Sequence, residues 1–137
     1  MNVLDKITLH YALENIVDMV IITDMKSVIQ YVNPAFTQVT GFTREEALGN
    51  KPSIQKSPHT TVETYKEMWS VILKGGWWRG EIINKKKSGA LWHSYLSISQ
   101  IRDDAGKPFA YIGISRDITE MKQLQDDLFK MSLEAIY

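Results

Sequence analysis

The chain has 137 residues, enough for one domain with its own hydrophobic core. Its 16 basic and 16 acidic residues give a formal net charge of zero, which argues against a broad nucleic-acid-binding surface because such surfaces need a basic excess. The absence of cysteine excludes disulfides, thiolate metal ligands and thiol nucleophiles, and no apolar run approaches the roughly 18 residues of a membrane span.

The first part of the chain predicts a helix followed by two short strands. Apolar residues return every three or four positions over residues 3–17, as they do on one face of a helix. The continuous apolar run at 19–23 predicts a strand, and a turn at Asp24 separates it from a second strand at 28–32. We therefore expect the core of the domain to begin at residue 19, after an N-terminal flanking helix at residues 1–18.

Two helix-start signals follow the second strand. Asn33 precedes Pro34, and an asparagine cap with proline in the first turn is typical of a helix N-terminus. That helix is expected to end near Gly41. Thr43 and Glu46 then have the spacing of a capping box, in which each side chain bonds the main-chain N–H of the other residue.

The second half predicts a longer helix, three longer strands and a final helix. Apolar side chains share one face over residues 60–73, and two glycines end that helix. Strands are predicted at 77–85, 90–101 and 109–116, with a polar amphipathic helix from residue 118 onward. This order of elements indicates an α+β protein, with one mixed sheet and helices packed on one face.

Several short motifs, in order and at family spacing, resemble those of the PAS family. They occupy residues 22–24, 31–36, 40–49, 78–81, 84–89 and 113–119. Each motif alone is weak, but the set is specific. The resemblance implies a PAS fold, a five-stranded antiparallel sheet with helices on one face around a central pocket. The core would span residues 19–117, and residues 118–137 would form a C-terminal signalling helix.

Within the family, the pattern around Trp69 and Asn84 is similar to that of FAD-binding redox-sensing PAS domains. These are of the type found in the flavoprotein regulator of nitrogen fixation and in the aerotaxis receptor. In that subgroup the equivalents of Trp69 and Asn84 contact the isoalloxazine ring. A flavin ring needs an aromatic contact and an amide that can both donate and accept hydrogen bonds. We expect FAD as the cofactor, with FMN or no cofactor as the alternatives.

Strand alternation indicates which face of the third strand points inward. Trp78 and Asn84 share a face with Gly80 and Ile82, whereas the opposite face carries three charged residues. The first face is therefore expected to cover the core. Asn84 would then be a polar residue at the end of an apolar stripe, where it needs a hydrogen-bond partner.

The resemblance places further residues around the pocket. Ser115 of the last strand lies where related flavin domains have a residue near the reactive edge of the ring, so it is the candidate for passing on the state of the cofactor. The expected cofactor-binding residues are Ile21, Thr23, Trp69, Trp78, Asn84, Ser94, Leu96 and Ser115. No catalytic residue and no metal ligand is expected.

The same residues allow other interpretations. Trp69 also fits an ordinary core position on its helix, and Asn84 precedes a turn, where asparagine often bonds local main chain. These readings describe a cofactor-free interaction module whose own tryptophans fill the pocket. His59 suggests a haem ligand, although its place beside Pro58 favours a loop role. Light sensing through a cysteinyl adduct is excluded, because Pro52 occupies the position of the reactive cysteine of related photoreceptors.

The C-terminal segment predicts how a signal leaves the domain. Asp117-Ile118-Thr119 matches the triplet at which the family's sheet gives way to a signalling helix, and Thr119 is expected to cap that helix. Apolar residues with the a/d spacing of a short coiled coil follow at Met121, Leu124, Leu128, Met131 and Ala135. The alternative is a single helix lying back on its own sheet.

The expected partners follow from these features. We expect a homodimer through the terminal helices and the outer sheet face, where Ile83, Tyr95 and Ile101 are apolar. A regulatory rather than enzymatic role is expected, because no catalytic set occurs at a meaningful spacing. The domain would serve a histidine kinase, cyclase or chemoreceptor output in the same chain. The first residues lack a signal-peptide pattern, so we expect a cytoplasmic location without direct membrane contact or a nucleic-acid partner.

Overall fold

A five-stranded sheet organises residues 2–136, the part of the chain that the computed structural model describes. Its strands are Met19–Thr23 (β1), Ile29–Val32 (β2), Trp78–Lys85 (β3), Leu91–Arg102 (β4) and Pro108–Asp117 (β5). They lie in the order β2-β1-β5-β4-β3, and all neighbouring strands are antiparallel. The antiparallel sheet that the family resemblance implies is confirmed.

The mixed sheet expected from the order of elements alone is wrong. The helical connection between β2 and β3 carries the chain from one edge of the sheet to the other. No crossover therefore joins two neighbouring parallel strands, as it would in a βαβ unit. The remaining connections within the second half are short turns, which suit antiparallel neighbours.

The helices were predicted to within a few residues. They are Val3–Asn15 (α1), Pro34–Thr40 (α2), Arg44–Ala47 (α3), Val62–Leu73 (α4) and Thr119–Ile136 (α5), with a 3₁₀ turn at Pro52–Gln55. Neither α1 nor α5 contains a buried residue in the described part of the chain. These two helices therefore contribute no buried side chain to the core. None of the described helices is long and apolar enough to span a membrane.

The predicted helix caps are present. The side-chain oxygen of Asn33 accepts a hydrogen bond from the N–H of Phe36, with Pro34 in the first turn of α2. Gly41 ends this helix with φ of 80°, a left-handed conformation that favours glycine. Thr43 and Glu46 bond each other's main-chain N–H groups at 3.1 Å in both directions. Local sequence alone therefore fixed these boundaries.

Two apolar clusters lie between the sheet and the helices. One joins β1, β2 and β4 to α2 and α3 and consists of Met19, Ile29, Val32, Ala35, Phe36, Ala47 and Trp92. The other joins β3 and β5 to α4 and consists of Met68, Ile72, Trp78, Ile82 and Tyr111. Partly buried side chains from α4, including Trp69, pack against the second cluster. Helix α4 therefore packs over the half of the sheet that ends at β3.

Candidate ligand-binding site

A cavity of about 350 Å³ opens between the sheet, α4 and the 3₁₀ turn. Its volume lies within the roughly 300–1,000 Å³ typical of small-molecule sites. The sheet contributes one wall through Ile21, Thr23, Ile82, Asn84, Leu96, Ile98, Tyr111, Gly113 and Ser115. Ser27 of the β1–β2 turn adds to the lining, and α4 with the segment before it contributes the rest, through Lys51, Pro52, Ser53, Gln55, Lys56, Tyr65, Met68 and Trp69.

Six of the eight residues predicted from the sequence line this cavity. They come from four strands and α4, and they are Ile21, Thr23, Trp69, Asn84, Leu96 and Ser115. Antiparallel pairing explains why they converge. Ile21 of β1 lies opposite Gly113 of β5, and Leu96 of β4 lies opposite Ser115. Residues that share one sheet face in this register point into the same space.

Trp78 and Ser94 are not among the lining residues. Trp78 faces inward as predicted, but its indole lies over Gly80, where an added Cβ would meet the ring at 2.6 Å. The ring is therefore directed along β3 within the second apolar cluster. Ser94 lies one inward position before Leu96, and its buried hydroxyl has no hydrogen-bond partner among the described residues.

Aromatic rings form one side of the cavity. Trp69 of α4 and Tyr111 of β5 meet edge to face, with their ring centroids 5.3 Å apart at an interplanar angle of 81°. Tyr65 lies one helical turn before Trp69, and burial raises the pKa of its phenol. The Nζ atom of Lys56 lies 4.8 Å from the centroid of the Tyr65 ring, a cation–π distance. The cavity thus combines a flat apolar surface with a positive charge.

Polar side chains face the same space. Gln55 is 7% exposed, and its side-chain carbonyl oxygen has no hydrogen-bond partner among the described residues. Such a buried acceptor is costly unless a ligand or water donates to it. Asn84 adds an amide that can both donate and accept. Thr23 is already engaged, because its hydroxyl donates to the carbonyl of Asp24 at 2.8 Å.

The 3₁₀ turn is held against the edge strand β3. Lys56 forms an isolated antiparallel bridge with Asn84. The hydroxyl of Ser57 donates to the carbonyl of Ile83, and the N–H of Ile83 donates to Thr60 Oγ1 at 2.9 Å. These bonds fix Gln55 and Lys56 beside Asn84. Neither Gln55 nor Lys56 was predicted from the sequence, because the turn is too short to show a periodic pattern.

The last strand leads directly from the cavity to α5. Asp117 lies two residues after Ser115, and its carboxylate accepts hydrogen bonds from the N–H of Thr119 at 3.0 Å and from its hydroxyl at 2.6 Å. Asp117 therefore caps α5, and the prediction that Thr119 would do so is wrong. The Thr119 hydroxyl instead accepts from the N–H of His93 at 2.9 Å, which ties the helix to β4. Lys122 and Glu81 add an ion pair at 2.8 Å between α5 and β3.

The structure also shows where His59 and Pro52 lie, the residues considered for a haem ligand and for the cysteine position of photoreceptors. His59 is not among the lining residues, and its N–H donates to Ser57 Oγ at 3.3 Å in the loop before α4. Pro52 does line the cavity. No group of three or more His, Asp or Glu residues within residues 2–136 is arranged to hold a metal ion.

The chain is similar in sequence to parts of known regulatory and receptor proteins. The nitrogen fixation regulatory protein of Klebsiella oxytoca is 33% identical over 107 residues, which are 78% of this chain and 22% of that protein. The aerotaxis receptor of Escherichia coli K12 is 29% identical over 99 residues, 72% of this chain and 19% of that protein. Among solved structures, an RNA-binding light-oxygen-voltage receptor matches with a TM-score of 0.84 at 23% identity. That match covers 96% of this chain and 38% of the receptor.

These relatives are larger proteins, and this chain spans less than a quarter of the length of either curated relative. The structural match has low sequence identity and therefore speaks for the fold alone. A family model described as a PAS domain matches residues 17–120, a range that contains all five strands, the cavity and the junction with α5. The chain therefore belongs to the PAS domain family.

Proposed function

We propose that this PAS domain is a sensor that binds a flavin, FAD in the first place, and responds to redox state or oxygen. One observation carries the proposal. One cavity joins the aromatic pair Trp69 and Tyr111 with the amide of Asn84 and with the side-chain carbonyl of Gln55, which has no hydrogen-bond partner among the described residues. Flat apolar surface beside a few convergent polar groups is the chemistry that an isoalloxazine ring requires.

The lining residues fit the ring in size and in polarity. Trp69 offers an aromatic contact of the kind that buries roughly 150–250 Å². The Asn84 amide suits the alternating carbonyl and N–H groups along the ring's polar edge, and Gln55 supplies a further acceptor. At about 350 Å³ the cavity suits the ring system, so the remainder of a dinucleotide would extend past Lys51 and Lys56. A bound flavin would supply reversible electron transfer.

We propose that Ser115 responds to the redox state of the bound flavin. It lines the cavity and lies two residues before Asp117, which caps α5. A change in hydrogen bonding at Ser115 would therefore act close to the base of the output helix. We expect Ser115→Ala to retain the flavin while weakening the difference in α5 amide-exchange rates between the oxidised and dithionite-reduced protein. An unchanged difference would remove Ser115 from this role.

Absorbance of the purified chain incubated with FAD tests the binding proposal. We expect flavin bands that bleach with dithionite and remain with the protein through gel filtration. Trp69→Ala and Asn84→Ala should each weaken binding, the latter by roughly two- to tenfold, the value of one net hydrogen bond. Trp77→Ala and Asn50→Ala are matched controls, because both residues lie outside the lining set.

A protein that stays colourless after this incubation would contradict the flavin proposal. Full flavin occupancy in both Trp69→Ala and Asn84→Ala would show instead that the site is elsewhere. A Soret band would favour haem.

A cofactor-free dimerisation module is the second candidate, and the exposed residues of α5 favour it. Leu124 and Leu128 are 56% and 62% exposed, and Met121 and Met131 extend the same a/d spacing. On this proposal two copies pair through their terminal helices, with Tyr95 on the outer sheet face as a further contact. Sedimentation analysis should show a dimer that Leu124→Glu with Leu128→Glu dissociates and Gln125→Glu does not. A monomer at all concentrations contradicts it.

The role we propose is regulatory, within a longer signalling protein. The curated relatives include a hybrid signal transduction histidine kinase of Dictyostelium discoideum, of which the matched region covers only 6%. A domain of this kind passes its state to an output region in the same chain, through α5 on the present proposal.

A further inference from the structure

We propose that Lys51 and Lys56 form a phosphate-binding mouth, so that the site selects a phosphorylated flavin over the unphosphorylated vitamin. The inference rests on the proposed flavin function and adds a requirement for the ligand's charge. Lys51 and Lys56 flank the 3₁₀ turn and both line the cavity. The lining set contains no Asp or Glu, so the two lysines give the mouth a positive potential.

Neither lysine forms an ion pair with a residue that the structure describes. Within residues 2–136, the ion pairs join other partners, and no carboxylate lies within ion-pair distance of Lys51 or Lys56. Lys87 in the β3–β4 turn, by contrast, is paired with Glu46 at 2.7 Å. Among the described residues no carboxylate therefore competes with a ligand for either cavity lysine.

Lys56 is also held in place. Its main chain bridges to Asn84, and its Nζ lies over the ring of Tyr65. Burial raises the pKa of Tyr65, so this phenol stays neutral at physiological pH and does not compete as an anion. A fixed ammonium group at a cavity mouth loses less side-chain entropy on binding than a free one.

Gln55 provides the second, independent observation. It lies in the turn between the two lysines, and its buried carbonyl oxygen needs a hydrogen-bond donor. A chain of hydroxyl groups that ends in a phosphate would satisfy both requirements, because the hydroxyls donate to Gln55 and the phosphate pairs with the lysines. The ribityl phosphate shared by FMN and FAD has this chemistry, whereas riboflavin has the hydroxyls alone.

Titration with riboflavin, FMN and FAD, followed by flavin fluorescence, tests the inference. FMN, FAD or both should bind at least about tenfold more tightly than riboflavin, the value of one charge-assisted hydrogen bond. Raising the salt concentration should weaken the binding of FMN and FAD but not that of riboflavin, because salt screens the attraction between the phosphate and the exposed lysines. In Lys51→Gln with Lys56→Gln the three ligands should bind with similar affinity. Lys66→Gln, an exposed lysine outside the lining set, is the control.

The outcomes separate this inference from the proposed function. Riboflavin binding as tightly as FMN and FAD, with no effect of the lysine substitutions, would overturn the phosphate-binding mouth and leave flavin binding intact. Failure of all three ligands to bind would overturn the flavin proposal itself. Both lysines are exposed, so the double variant should keep the thermal stability of the parent protein. A loss of riboflavin affinity equal to the loss of FMN affinity would count against the inference.

Discussion

The N–H of His93, near the start of β4, donates to the hydroxyl of Thr119 at the first residue of α5, at a distance of 2.9 Å. The N–H of Ile118 in turn donates to the carbonyl of His93, also at 2.9 Å. The base of α5 is therefore bonded to β4 in both directions. Any movement of α5 away from the sheet must break this pair of bonds.

Thr119→Val should loosen the base of α5 without changing the core. The substitution keeps the shape of the side chain and removes the hydroxyl that bonds His93 and Asp117. We expect a loss of about 1 kcal/mol in the free energy of unfolding, typical of a capping interaction. Amide hydrogen exchange should accelerate in the first turn of α5. Gln123→Ala, which removes an exposed bond to Asp127, is the control, and equal exchange in both variants would contradict the prediction.

Asn33→Ala should be among the most destabilising single substitutions. The side-chain oxygen accepts from the N–H of Val20 at 2.9 Å, and the amide donates to the carbonyl of Asp18 at the same distance. Loss of a buried group that serves several main-chain partners leaves them unsatisfied, at about 2–3 kcal/mol. Chemical denaturation measures this. Asn15→Ala, an exposed residue with one bond to Tyr11, should change the stability by less than about 0.5 kcal/mol.

Gly80→Ala should disturb Trp78. An added methyl group at residue 80 would lie 2.6 Å from the Trp78 ring, so the indole must move, at about 1–3 kcal/mol of overpacking. The intrinsic fluorescence spectrum should shift with the loss of stability. Gly113→Ala is the contrasting case, because its Cβ would meet Leu96 at 3.4 Å and lies on the cavity. If Gly80→Ala is no less stable than Gly113→Ala, the packing argument fails.

Glu14→Gln should reveal a pH-dependent attachment of α1. Arg44 donates to the Glu14 carboxylate at 2.6 Å, and this bond holds the pKa of Glu14 below its ordinary value of 4.5. A lowered pKa in the folded state stabilises the protein above the unfolded value, and the effect disappears as the pH falls through the folded value. At neutral pH the variant should lose less than about 1 kcal/mol, since Arg44 is partly exposed.

Denaturation curves of this variant and the parent should therefore converge as the pH falls below 4.5. Glu45→Gln on α3, whose carboxylate forms no ion pair with a described residue, is the control. A stability difference that stays constant with pH would rule out the ion pair as its cause.

The sequence predicted the fold well because most of its signals are local. The cap at Asn33 and the capping box at Thr43 each specify a boundary within a few residues. The order of elements wrongly predicted a mixed sheet. The direction of strand pairing depends on which edge of the sheet the chain reaches after the long connection between β2 and β3. The family resemblance supplied that information.

The cavity could be predicted only in part. Trp69 and Asn84 lie on regular elements, so helical and strand periodicity place them on a definite face. Gln55 and Lys56 lie in or beside a 3₁₀ turn, where periodicity says nothing about side-chain direction. Trp78 faces inward as expected, but the space over Gly80 accommodates its ring. Strand alternation predicts which face a side chain points to, but not that the Trp78 ring packs along its own strand over Gly80.

Met19 and Ser115 are partners on adjacent central strands, and Asp18 and Arg116 form an ion pair beside them. The polypeptide therefore enters and leaves the core side by side. A domain with this property can be inserted into a longer polypeptide with little change in the separation of the segments on either side. Because β1 follows α1 and β5 precedes α5, a displacement of one terminal helix can be transmitted to the other through this one pair of strands.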